Sequence, residues 1–229
     1  MTASLKGSAM KLARLARRLF VGTVAASTAT ALALTAAPSG AWATGGSTAP
    51  SGIRSLAQVL TRDTSGFDRK PYDFDILTQA VLTVLSAKPN SPVKVLTDGT
   101  VALTAFVPTD AAFQRLVQDI TNSHRWPSEE QAFTAVAGLG VDTVEAVLLY
   151  HVVPGATIDA KTALRSDGAA LTTAAGSAVT VDVKGWRVLR LVDADTNDRD
   201  ARVVFFDINK GNKQIAHAVN RVLRPIDLP

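Results

Sequence analysis

Three histidines (His124, His151 and His217), 20 acidic residues and no cysteine are the raw material for chemistry in this chain of 229 residues. The densest group of potential ligands is Asp193-Ala194-Asp195-Thr196-Asn197-Asp198-Arg199-Asp200. Acids at alternate positions are spaced like calcium-loop ligands. The motif then fails, because position six is Asp198 where glycine is needed and position twelve is Val204 where a bidentate glutamate is needed. The segment lies between two strand candidates, residues 187–192 and 201–206, so a solvated hairpin loop is the simpler reading. No metal site and no cofactor is expected.

Catalytic constellations are equally sparse. There is no G-x-S-x-G elbow, no H-E-x-x-H, no phosphate-binding glycine loop and no thiol. A triad of distant residues leaves no local signature, so motifs alone do not address it. The expectation is a protein that is not an enzyme. Tyr150-His151 sits among Leu148, Leu149, Val152 and Val153, where a helical pattern runs into Pro154-Gly155. In such surroundings a histidine satisfies buried backbone groups, and a tyrosine packs while its hydroxyl finds a partner. His217, between Ile215, Ala216 and Ala218 in a predicted strand, invites the same reading. Asp207-Ile208 precedes Asn209-Lys210-Gly211-Asn212, a strand end entering a loop. An aspartate there either meets a partner's cation or bonds its own turn, the second being the plainer expectation. Trp126 and Trp186 fall in connections, as interface anchors or folded onto the core.

The elements that must position these groups are legible in periodicity. Residues 53–61 have helical apolar spacing, and Asp73 is placed to cap a longer helix whose stripe is Ile76, Leu77, Ala80, Val81, Val84 and Leu85. Residues 93–96 and 101–107 flank Asp98-Gly99, which predicts a hairpin. Pro108 ends the strand, and Thr109 or Asp110 opens a helix with Ala112, Phe113, Leu116, Val117 and Ile120 inside. Ser128 with Gln131 forms a capping box, and Asp142 is placed to cap the helix leading to Tyr150. Strand patterns follow at 170–173, 179–183, 187–192, 201–208 and 215–222. Helices early and strands late make the class α+β, with a largely antiparallel sheet.

The front of the chain reads as an export signal, residues 1–43. Lys6, Lys11, Arg14, Arg17 and Arg18 precede a mildly apolar run at 19–37, and Ala41-Trp42-Ala43 supplies a cleavage site. Those 19 residues could just span a bilayer, but glycine, serine and threonines dilute them. Arg17-Arg18 fits twin-arginine export, and the general secretory route stays open. Residues 44–52 read as a flexible linker and 53–229 as one domain, with no membrane span or C-terminal anchor expected after cleavage. Nineteen of the 24 Lys and Arg then face all 20 acids, a net charge of −1. Without a clustered positive surface, nucleic acid is excluded as a partner.

Three stretches resemble the signature segments of the fasciclin-like family: TAFVPTDAAF at 104–113, LLYHVVPGATI at 148–158 and IAHAVNRVLRP at 215–225. Their order and separations match that family over about residues 73–228. The resemblance implies a single wedge-like α+β domain in a secreted, cell-envelope or extracellular protein of bacterial type. It implies adhesion, through an unidentified cell-surface or matrix protein or glycan; separately, the chain is expected to be a monomer. In animal relatives the regions matching Tyr150-His151 and Asp207-Ile208 are linked to adhesion and integrin contact, which makes Tyr150, His151, Asp207 and Ile208 the candidate binding residues. Some relatives bind carotenoids, so a carrier of a small apolar ligand is the alternative that the resemblance implies.

Overall fold

The computed structural model describes residues 52–185 and 188–226. The export signal, most of the linker and Trp186 lie outside the described residues. Among these described residues, six helices, a 3-10 turn and seven strands follow one another. They are α1 (Leu56–Leu60), α2 (Asp75–Ala87), the 3-10 turn (Pro92–Thr97), β1 (Leu103–Pro108), α3 (Asp110–Thr121), α4 (Glu129–Ala137), α5 (Val141–Tyr150), β2 (Val152–Pro154), α6 (Ala160–Ala163), β3 (Ala170–Thr172), β4 (Ala178–Lys184), β5 (Val188–Val192), β6 (Ala201–Ile208) and β7 (Gln214–Val219). The class is α+β, and the strands form one sheet in the order β2-β1-β7-β6-β5-β4-β3. Among the described strands only β1 and β7 run parallel to each other; the other strand pairs are antiparallel.

Every residue of β1 and of β7 is buried, as expected of central strands covered on both faces. Leu103, Ala105 and Val107 of β1 join a core with α2–α5, while Phe106 points into a second core built on β3–β6. Further out the strands alternate: Val179, Val181, Leu189 and Leu191 are buried, and across β4 and β5 Asp182 pairs with Arg190 at 2.8 Å on the other face. β6 carries irregularities where it meets β7, between Val203 and Phe205 and again before Ile208.

Several sequence expectations need correction. Gly52 is not linker: it exchanges backbone hydrogen bonds with Gly211 and Lys213, and α1 starts only at Leu56, capped by Ser55 with Gln58. Asp73 does not cap α2, whose own N-cap side chain makes no bond. The cap comes from another helix: the Asp110 carboxylate accepts from the Asp75 and Ile76 amides at 3.1 and 2.8 Å. No hairpin forms at Asp98-Gly99, because Pro92 and the Ser91 side chain wind residues 92–97 into the 3-10 turn. Gly99 is needed for a different reason: a Cβ there would sit 1.7 Å from the Ile53 carbonyl oxygen. Asp142 does not cap α5 either; Gly140 holds the N-cap and Asp142 pairs with Lys88 in the open. The capping box of Ser128 and Gln131 is present, and the late strands fall within a few residues of their patterns. Among the described residues no single helix is long and apolar enough to cross a membrane.

Candidate binding site

Tyr150 closes α5 and is fully buried, its hydroxyl donating to the Ala178 carbonyl at 3.2 Å. Burial, then the charge of Asp193, pushes its pKa up to about 12. His151 follows at the C-cap, 4% exposed. Its Nδ1 lies 2.7 Å from the Val147 carbonyl and its Nε2 accepts from the Leu223 amide at 2.8 Å. That pairing puts the proton on Nδ1, an assignment made from the partners. Desolvation lowers the His151 pKa to about 4, against the favourable bond to Val147. Both ring nitrogens are thus committed to backbone, and neither side chain offers a surface to a partner.

The loop at 193–200 meets this pair. Asp193 accepts from the Arg224 amide at 2.8 Å, so His151 and Asp193 hold two adjacent amides of the same segment. Burial pushes the Asp193 carboxyl up to about 6, although two backbone bonds oppose the shift. Asp195 is 4% exposed and pairs with Arg224 at 2.9 Å, while Asp198 pairs with Arg221 and Arg224. Asp119, at the end of α3, completes the network with both arginines. The expected solvated hairpin loop is therefore a folded ion-pair cluster, with Asp193, Asp195 and Asp198 turned toward the segment after β7 and Asp200 toward Arg190 of β5. Alternating acids in a loop look alike in sequence whether they face water or two arginines 20–30 positions downstream.

Asp207-Ile208 lies elsewhere, at the end of β6. Asp207 has a left-handed backbone (φ 62°), accepts from the Ala160 amide at 2.7 Å and pairs with Lys210 at 2.5 Å. Ile208 packs against the helical core. His217 stands behind them, its Nδ1 accepting from the Asp207 amide and its Nε2 bonded to the Ile158 carbonyl at 2.8 Å. Desolvation lowers its pKa. The four residues matched to the family's binding regions thus form two separate places, one internal and one half-buried. Trp126 is half exposed and stacks on the Arg115 guanidinium, 5.6 Å from the ring centre.

What the sequence concealed is a cleft of about 340 Å³ between the helices and the segment after β7. Phe113, Leu116, Ile120, Val136, Leu139, Val144 and Val147 line one side, and Val222, Leu223, Pro225 and Ile226 the other. Small side chains at Ala80, Ala146, Ala175 and Ser177 leave it open. His151 and Arg224 reach its wall, but their polar atoms are bonded into the fold. The remaining surface is hydrocarbon and suits an apolar ligand or an apolar side chain of a partner. Each lining residue reads as ordinary core in sequence. Only the meeting of four helices with the β3–β4 connection and the segment after β7, with small residues between them, makes a void.

The model of the Fasciclin domain matches residues 78–225, and the chain belongs to that family. A solved FAS1 domain pair from the insect cell adhesion molecule fasciclin I has the same fold, with a TM-score of 0.51 and 15% sequence identity. The match covers 76% of this chain and 51% of that one, so the chain spans about half the length of the solved pair. No curated protein matches the chain at a significant level.

Proposed function

We propose that the protein is a non-catalytic binding module acting outside the cell, in adhesion-type contact with a cell-surface or matrix component, and that the apolar cleft is where it binds. Family membership supports the class of function, and one observation supports the place. The cleft is the described cavity of ligand size, whereas Tyr150 and His151 are internal and Asp207 and the acids at 193–200 are already paired. The lack of catalysis is consistent with both buried imidazoles spending their nitrogens on backbone partners, which leaves neither ring free to act as a base. Secretion rests on the signal-like residues 1–43.

The cleft also favours a second reading, a carrier of a small apolar molecule, because its volume and lining suit such a ligand. One variant serves both. Ala146→Phe places a ring in the cleft without disturbing any hydrogen bond described above. For adhesion, the protein binds cells or envelope fractions saturably, and A146F lowers that binding while Asp207→Asn leaves it unchanged. For carriage, an apolar fluorescent dye or a carotenoid binds one to one and A146F abolishes it. Surface binding lost in D207N but kept in A146F would move the site to the end of β6. Absence of both surface and ligand binding in the folded protein would overturn the proposal.

A further inference from the structure

Six carboxylates converge where three helices begin. Asp75, Asp110 and Glu129 each open a helix (α2, α3 and α4), and Asp63, Asp68 and Asp73 come from the connection between α1 and α2. Oxygens of Asp63, Asp73 and Asp75 lie within 4.8 Å of one another, as do those of Asp68, Asp75 and Glu129, and those of Asp73, Asp110 and Glu129. An acid at a helix start is favoured by the helix dipole, which accounts for Asp75, Asp110 and Glu129 one at a time. It does not account for so many acids facing one another.

The cluster's hydrogen bonds show which oxygens are left over. Both Asp110 oxygens accept amides of α2, Glu129 accepts the Asp68 amide at 2.6 Å, and Asp68 holds the backbone and side-chain nitrogens of Lys70. Asp63 accepts from Ser65 through one oxygen. Neither oxygen of Asp73 has a donor, and Asp75, only 5% exposed, holds an oxygen with none. No lysine or arginine pairs with Asp63, Asp73 or Asp75 among the described residues. Buried carboxylate oxygens that face only other carboxylates are costly; a proton shared between Asp73 and Asp110 offsets part of that cost, and a cation would offset it for Asp63, Asp73 and Asp75 together.

We propose that this cluster is a divalent cation site, selective for calcium, with Asp63, Asp73 and Asp75 as its protein ligands. The donor set is oxygen alone, with no histidine or thiol, so it selects a hard ion over zinc or copper. Calcium–oxygen distances of about 2.3–2.6 Å place two ligands of one ion at most about 5 Å apart, which the three carboxylates satisfy. The exposed Asp63 leaves one side open for waters, and irregular coordination of this kind suits calcium better than magnesium. The positive ends of three helices nearby weaken the site, so affinity falls in the range of about 0.1–1 mM known for extracellular calcium modules.

Calorimetric titration of calcium into the intact chain, paired with thermal melts in calcium and in chelator, tests this. The expected result is one ion per chain and a melting temperature that rises with calcium. Asp73→Asn and Asp75→Asn should weaken binding by about ten-fold or more and remove the calcium-dependent rise. In chelator both should melt no lower than the parent, since each removes a repelling charge. Asp63→Asn reads the same affinity loss from an exposed loop, and decides the matter alone should the buried variants not fold. Asp142→Asn, remote and paired with Lys88, should bind as the parent does. Neither heat nor a melting shift with calcium, binding that survives D63N, D73N and D75N, or magnesium binding as tightly as calcium would each overturn the assignment.

Discussion

At the scale of residues, the histidines show how burial settles a role that spacing leaves open. His151 enters the fold neutral, its pKa lowered from 6.5 to about 4 by desolvation. Above pH 6.5 folded and unfolded chains are both neutral at this position. As pH falls toward 4 only the unfolded chain takes up the proton, so the contribution of His151 is present above 6.5 and lost on acidification. Asp193 has the opposite sign, because its raised pKa of about 6 gives stability at low pH that is lost as pH rises through that value. Comparing the parent with His151→Gln isolates the histidine. In denaturant unfolding the parent's advantage at pH 7 should shrink by about 3 kcal/mol toward pH 4. A gap that does not change with pH would contradict the assignment of a neutral, bonded ring. The apolar neighbours of Tyr150 and His151 made this internal role readable in sequence, but the identity of their partners, Ala178, Val147 and Leu223, was not.

At the scale of elements, local signals succeeded where the cap or turn was itself local. Ser128 with Gln131 marked α4 correctly, and the apolar stripe marked α2. They failed where the chain borrows a group from far away. The cap of α2 sits 34 and 35 residues downstream, in Asp110, so Asp73 looked like a better candidate than it is. Gln214 is the stronger case, an unremarkable polar residue at the head of β7 that is fully buried. Its oxygen accepts the Leu56 amide at 2.7 Å, and its nitrogen donates to the Val95 and Asp98 carbonyls at 2.8 Å each. One side chain thus ties α1 and the 3-10 turn to the sheet. Gln214→Ala should cost about 3 kcal/mol, the sum of several buried groups left without partners. Hydrogen exchange should locate the damage at the Leu56 amide and in residues 92–98, with β4 and β5 unchanged. Uniform acceleration over the whole chain would mean that Gln214 serves the global fold instead.

At the scale of the molecule, Arg221 and Arg224 join α3 and the loop between β5 and β6 through Asp119, Asp195 and Asp198. Arg224→Met deprives the buried Asp195 of this cation and should lower stability by about 3 kcal/mol, read as an earlier denaturant midpoint with an unchanged slope. An unaltered midpoint would make the network ornamental. The sheet order carries a further consequence. β7 comes last among the described strands, yet it lies between β1 and β6, and its parallel partner β1 is more than a hundred residues earlier. Until residues 214–219 arrive, β1 has only the short β2 to pair with, and the helical half has no finished sheet to cover. Assembly therefore waits for residues 214–219 to reach β1, a long closure of the kind that slows folding and keeps intermediates open. A nascent chain would stay unlatched and threadable until β7 slots into the middle of the described sheet.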